Sequence, residues 1–284
     1  MILVTGATGS IGRPLVRELA SAGVPFRALV RTEAKGRALD CPFAVGDFDD
    51  PAALAAALDG VDRLLLNGPG AVPVANGPQP MVAHQRTVID LAVAAGVTRI
   101  VKVSGSGVRP GGPVANGAHW EIEEHLRAAG PEWAVLRPSG FMQNFRTGAV
   151  GFVSDGLLAG PFGEAPCAYV DTRDIAACAA ALLTAPEGEL GGPGNGRVHD
   201  LTGPEALTHR EIAARLGVAF RDVPPAETRA DMLARGLPAG FVDEMLAAWA
   251  EVANGAQARV TDTVEQLTGR RPRTFDAFLA DDGA

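Results

Sequence analysis

Short apolar runs alternate with longer stretches of helical period through the first 140 residues. Ile2–Thr5, Phe26–Val30, Phe43–Val45, Arg63–Leu66, Arg99–Val103 and Trp133–Arg137 read as strands. Between them Ile11–Ala22, Ala52–Leu58, Val82–Ala95 and His119–Ala129 place apolar residues three and four apart, the period of a one-sided helix. Continuous apolar strands separated by such helices predict βαβ units and a parallel sheet covered on both faces, a doubly wound α/β fold. Beyond Gly140 the rhythm breaks. Arg197–Leu201 reads as a late strand, Thr208 and Glu211 form a capping-box pair at a helix start, and residues 224–284 read as mostly helical. We therefore expect a nucleotide-binding domain over 1–140 continued by 166–201, with 141–165 and 202–284 forming a small, mainly helical substrate lobe. Tyr169 is expected to pack before a helix capped by Asp174. Pro186–Gly196 reads as an exposed loop. The glycine- and proline-rich stretches Gly68–Pro80 and Gly105–Gly117 follow the fourth and fifth strands, as walls of a ligand crevice or as plain surface connections.

Composition narrows the function classes. The 284 residues are 47% hydrophobic and 20% charged, a soluble globular balance with length for one large core. A net charge of −8 argues against nucleic acid, whose phosphates need a cationic face. Acid is unevenly spread: residues 1–150 carry 14 basic and 13 acidic side chains, residues 151–284 carry 11 and 20. A phosphate-bearing ligand suits the first half better. Cys41, Cys167 and Cys178 have no metal-type spacing and read as reduced packing residues. No apolar run reaches the ~20 residues of a membrane span, and Met1-Ile2-Leu3-Val4 has no basic leader. A cytoplasmic protein without metal or membrane partner is expected, as monomer or homodimer.

The strongest chemical signal is Thr5-Gly6-Ala7-Thr8-Gly9-Ser10-Ile11-Gly12, between the first strand and the first helix. Gly6 permits a tight turn, Gly9 lets backbone approach a pyrophosphate, and Gly12 allows helix to pack on strand. The helix N-terminus, with Thr8, Ser10 and Ile11 around it, faces the anion. At the end of the second strand, where an acidic residue would bind a ribose hydroxyl, stands Arg31, whose planar fork suits a 2′-phosphate. NADP(H) is favoured over NAD(H). Asp47, after the third strand, either accepts from the adenine amine or caps a helix; Asn67 and Gly68, after the fourth, complete the expected cofactor set.

This turn, Gly46-Asp47, the segment from His119 through Leu136-Arg137-Pro138 to Phe141-Met142-Gln143-Asn144, and Leu201-Thr202-Gly203-Pro204-Glu205-Ala206-Leu207-Thr208 together resemble the NmrA-like atypical short-chain dehydrogenase/reductases. The likeness spans nearly the whole chain. It implies a Rossmann fold and a nicotinamide cofactor, within a group that holds quinone reductases, triphenylmethane-dye reductases, polyketide ketoreductases and a redox-sensing regulator. The wider family protonates its substrate with a tyrosine helped by a lysine four residues on. Here the one tyrosine, Tyr169, lies far from that helix, and Lys35 and Lys102 do not restore the pair. The resemblance instead puts His119 and Glu123, four apart on one helix face, in the place of the missing pair. The carboxylate would orient the imidazole and raise its pKa; a substrate-positioning role and a plain surface pair are the alternatives. The resemblance also makes Ser104 a carbonyl-binding serine with Ser106 beside the substrate, lays Pro138 and Phe141 over the nicotinamide, and turns Met142 and Asn144 to the substrate. His84, His199 and His209 read as structural. The expected function is NADPH-dependent reduction of a quinone or polycyclic aromatic ketone, a small apolar carbonyl compound. A non-catalytic NAD(P)-sensing regulator is the alternative of another class, and a sugar-nucleotide epimerase is weakened by the absent tyrosine.

Overall fold

A computed structural model describes residues 1–75, 77–147 and 153–281. In chain order the first half runs β1 (Ile2–Val4), α1 (Gly12–Ser21), β2 (Phe26–Val30), α2 (Glu33–Arg37), β3 (Phe43–Val45), α3 (Pro51–Ala57), β4 (Arg63–Leu66), α4 (Pro80–Ala94), β5 (Arg99–Val103), α5 (Ala115–Ala128) and β6 (Glu132–Pro138). Then follow α6 (Asn144–Thr147), β7 (Val153–Ser154), β8 (Leu157–Gly160), α7 (Thr172–Thr184), β9 (Gly196–Leu201), α8 (His209–Leu216), β10 (Ala219–Asp222), α9 (Pro225–Ala234), α10 (Ala239–Ala253), α11 (Thr263–Thr268) and α12 (Phe275–Ala280).

Seven parallel strands form one sheet in the order β3-β2-β1-β4-β5-β6-β9. The order in which strands are added to the sheet reverses between β1 and β4, where Ile2 is level with Phe26 on one side and Arg63 on the other. That reversal opens a crevice beyond the carboxyl ends of these strands, the usual ligand position in a doubly wound sheet. Alternate strand residues feed opposite cores, as the two-residue period requires. Val4, Ala28, Leu65 and Val101 pack with Leu15 and Leu19 of α1 and Ile175 and Leu182 of α7. Leu3, Leu29, Leu64 and Ile100 pack with Leu54 of α3, Val88 of α4 and Ile122 of α5.

A third cluster, with Met142, Phe145, Phe162, Tyr169, Leu207 and Phe275, underlies the smaller lobe and its three-stranded sheet β10-β8-β7. Part of the segment expected in that lobe returns to the main sheet: α11 packs on α7, and Val264 is buried in the first core. Thr208 and Glu211 do form the expected capping box. Asp174 is not the cap of α7. Asp171 accepts from the Arg173 amide at 2.8 Å, because Asp174 is held in the first turn by the Arg273 amide at 2.7 Å. The three cysteines are free thiols, and no helix among the described residues is long and apolar enough to cross a membrane.

Candidate active site

The glycine turn needs its glycines for stated reasons. Gly6 has φ +64°, and a Cβ there would stand 2.8 Å from the Asn67 carbonyl oxygen. A Cβ on Gly12 would come within 2.2 Å of the Gly6 carbonyl oxygen and 2.6 Å of the Ala7 Cα. On Gly9 the nearest atom is 3.3 Å away, so the missing side chain leaves open space on the crevice side. Thr5 ties the switch point together: its hydroxyl donates to the Leu65 carbonyl at 2.8 Å and accepts from the Asn67 amide at 2.8 Å. α1 starts without a side-chain cap, which leaves its first amide donors to whatever lies in front of them.

In front of them lies a cleft of about 570 Å³. Gly6, Thr8, Gly9, Ser10 and Ile11 form its floor, Asp47, Asn67 and Gly68 one side, and Phe141 the far end. Arg31 reaches it from the end of β2 and makes no ion pair among the described residues. A bare guanidinium beside a glycine cradle fits a phosphorylated adenosine on a diphosphate, so these residues can hold NADPH. Pro138, expected over the nicotinamide, is not among the residues that line the cleft: it is the buried last residue of β6, in register with Leu201 of β9. His84, read as structural, stands at the cleft wall with Nε2 2.7 Å from Asp49. His199 lies on the edge strand β9.

The expected His119–Glu123 pair is not made. Glu123 is fully buried and accepts from the Ser104 hydroxyl at 2.6 Å, from Arg137 at 3.1 and 2.6 Å, and from Arg127 at 2.8 Å. Residues four apart do share a helix face, but Glu123 sits one turn further on, where the guanidinium from β6 draws its carboxylate away. The Ser104 hydroxyl hydrogen, expected on a substrate carbonyl, is committed to that carboxylate.

His119 lines the cleft and turns Nδ1 to the Lys102 Nζ at 3.0 Å. Burial, then the Lys102 and Arg137 charges, hold its pKa well below the usual histidine value, opposite to the rise expected from a carboxylate. It is a neutral imidazole at pH 7. Lys102, in the middle of β5 and fully buried, also reaches Gln85 Oε1 and the Val103 carbonyl, both at 3.1 Å. Burial pulls its pKa down to about 7, against the opposing pull of Glu123.

A second cavity, about 370 Å³, adjoins this end. Ser106 and Gly140 on its wall are sequence neighbours of the cleft residues Ser104 and Phe141, and Asn116 lies one turn before His119 on α5. The two glycine-rich loops thus wall one cavity each: Gly68–Gly70 the cleft, and Ser106 with Pro113 the second cavity. Asn144, expected at the substrate, lines this cavity. Met142 does not; it is 1% exposed and packs within the lobe's core. Missed by the sequence are Phe162, Trp249 and the pair Tyr169–His209. The phenol lies 2.8 Å from His209 Nε2, and the His209 ring stacks on Phe162 at 4.0 Å. Burial raises the Tyr169 pKa and lowers that of His209 to about 4, so both stay uncharged at pH 7.

Comparison with known proteins gives concordant results. A family model described as NAD(P)H-binding matches residues 6–186. An NAD(P)H azoreductase of Xenophilus azovorans is 36% identical over 98% of this chain and 96% of its own length. Quinone oxidoreductase 2 of Escherichia coli (strain K12) is 30% identical over 97% and 96%. The crystal structure of an NADPH-dependent quinone oxidoreductase from Escherichia coli, complexed with NADPH, superimposes with a TM-score of 0.79 at 28% identity, covering 99% of both chains.

Proposed function

The chain belongs to the NAD(P)H-binding family, with the atypical short-chain dehydrogenase/reductase fold, and from that premise we propose that it is an NADPH-dependent reductase of quinones or polycyclic aromatic ketones. The observation that carries this reading is the meeting of the glycine-floored cleft with an aromatic-lined cavity whose charged lining residue, Glu251, is paired with Arg109, and where His119 stands without a net charge. Bound NADPH supplies a hydride from its nicotinamide. The protein's part is to hold a flat acceptor against that ring, exclude water, and place an N–H donor at the oxygen that gains charge.

A neutral imidazole is a weak acid, yet it can polarise a carbonyl. It suits an acceptor whose reduced oxygen is itself stabilised. A quinone becomes an aromatic, comparatively acidic hydroquinone, and a ketone beside a phenolic hydroxyl carries its own hydrogen bond. Phe162, Trp249 and Met245 offer such a ring apolar contact, and the Glu251 carboxylate beside them is neutralised by Arg109. The alternative of a cofactor sensor is disfavoured by the donor at the nicotinamide end, for which a sensor has no use. Three free cysteines agree with a reducing, cytoplasmic setting.

The test is oxidation of NADPH by the purified chain with menadione, an anthraquinone, a hydroxylated polycyclic ketone and an azo dye. Turnover with the first three is expected, and turnover with none of the four removes the reading. Arg31 is expected to set cofactor choice. Replacing it with Ala removes charge-assisted hydrogen bonds to the 2′-phosphate, each worth about 1.5–3 kcal/mol. NADPH affinity should fall about 10- to 100-fold by that measure, with NADH affinity little changed. Titration of both dinucleotides into wild type and Arg31→Ala checks it.

A further inference from the structure

We propose that Lys102 sets the tautomer of His119 and refills its proton during the reaction, so that the two together replace the absent tyrosine and lysine. The proposal rests on the reductase reading above and extends it to a residue that touches neither cofactor nor acceptor.

The geometry is specific. Lys102 Nζ has three hydrogen-bonding neighbours, the Gln85 side-chain oxygen, the Val103 carbonyl and His119 Nδ1, at 3.1, 3.1 and 3.0 Å. An ammonium has three donors and no acceptor, so all three neighbours must accept. His119 Nδ1 is then unprotonated, and the hydrogen of the neutral ring sits on Nε2. Among the described residues no hydrogen-bond partner takes Nε2, the ring nitrogen left to the cleft that His119 lines. A neutral lysine amine is satisfied just as well. It donates to Gln85 and Val103, and its lone pair accepts from a hydrogen now on Nδ1. The proton can therefore stand on either nitrogen without stranding a buried polar group, whose cost would otherwise be ~1–3 kcal/mol.

The proton balance follows. As hydride reaches the acceptor, the Nε2–H bond breaks and its proton goes to the acceptor oxygen. One Lys102 N–H bond breaks at the same time, and that proton forms the Nδ1–H bond. The imidazole stays neutral throughout, with its tautomer exchanged; the pair is reset when water in the cleft gives a proton to Nε2 and the Nδ1 proton returns to the buried Lys102 amine. The groups facing the pair are Gln85 from α4, Glu123 from α5 and Arg137 from β6. Glu123 favours the ammonium while Arg137 opposes a charged imidazole, so the positive charge belongs on Lys102.

The test reads the ring itself as well as turnover. Histidine-15N NMR on the chain without cofactor should show His119 as the Nε2–H tautomer at low pH, switching to Nδ1–H with a midpoint near 7, where burial puts the lysine. In Lys102→Met that switch should be absent. With menadione, wild-type kcat should fall as pH rises through about 7, since the ammonium is the required form. Lys102→Met should lose about 10- to 100-fold in kcat and the pH step with it, with KM for NADPH unchanged. Should Lys102→Met fail to fold, Gln85→Met serves instead. It removes one acceptor from the ammonium and should move the tautomer midpoint to lower pH. A His119 tautomer that does not change across this range in wild type, or a Lys102→Met variant with wild-type kcat and pH profile, overturns the proposal. If wild type reduces no acceptor at any pH, the reductase reading fails while the NMR result still decides the pair.

Discussion

Replacing His119 with Ala should lower kcat for menadione by about 10²–10⁴, the range associated with losing a positioned proton donor, while the Kd for NADPH stays unchanged. The size of the loss follows from how few donors remain at that end of the cleft. Ser104, the neighbouring hydroxyl, gives its hydrogen to Glu123 at 2.6 Å, and that carboxylate is also clamped by Arg127 and Arg137. Releasing Ser104 would leave a buried carboxylate short of a partner, so it cannot take over cheaply. Lys102 lies behind the ring, fully buried, and cannot reach past the vacated space to the acceptor. His119→Gln keeps an amide donor of similar length and should retain more turnover than His119→Ala. The acceptor also matters: the loss should be larger with a simple aromatic ketone, whose alkoxide is strongly basic, than with a quinone. Steady-state kinetics on both acceptors, with NADPH affinity from fluorescence titration, give the comparison. Equal kcat in wild type and His119→Ala would remove His119 from the chemistry.

The same residues show where the sequence could and could not be read. β2, β3, β4 and β5 begin and end at the predicted residues, because each is a short apolar run bounded by turn-forming residues, even where, as in the edge strand β3, it is only half-buried. The glycine turn was legible because backbone sterics dictate it: no residue with a Cβ fits at Gly12. β7, β8 and β10 escaped notice, being two to four residues long and half exposed, with no period to detect. Lys102 does not fit the family's motif, whose lysine stands four residues beyond a tyrosine. A different signal was present. A lysine inside the apolar strand Arg99-Ile100-Val101-Lys102-Val103 must be buried, and a buried amine must have partners. What the sequence could not show is which partners, since Gln85 and His119 arrive from two separate helices. Spacing on α5 likewise placed Glu123 under His119 but said nothing of Arg137, which comes from β6 and claims the carboxylate. Tyr169 and His209 are 40 residues apart, and their meeting is a product of the lobe's core alone.

The scaffold beneath the site depends on a second buried charge pair, and Glu132→Ala should cost about 3–5 kcal/mol of stability, the range for removing one partner of a buried pair. Arg99 and Glu132 start the adjacent strands β5 and β6, in register, and meet at 2.7 Å with both side chains almost wholly buried. Arg99 further donates to the Leu182, Ala185 and Pro186 carbonyls at the end of α7, and Glu132 accepts from the Leu190 and Gly192 amides. One pair thus closes the end of α7, the turn-rich segment after it, and two strands. Losing the carboxylate strands the guanidinium and two amides together. The pair also fixes an acid dependence. Burial alone would raise the Glu132 pKa, but the Arg99 hydrogen bond and the two amides outweigh it and hold the value below 4.5. A carboxyl whose folded pKa is depressed stabilises fully above its unfolded value and loses that contribution as pH falls through the folded one. Urea unfolding should therefore show the wild-type advantage over Glu132→Ala intact at pH 7 and shrinking below about pH 4.5. An advantage that stays constant down to acid unfolding would mean that packing, rather than the ionised pair, holds this corner. NADPH affinity of the surviving folded fraction should be unaltered, because the pair lies at the opposite end of the strands from the glycine turn.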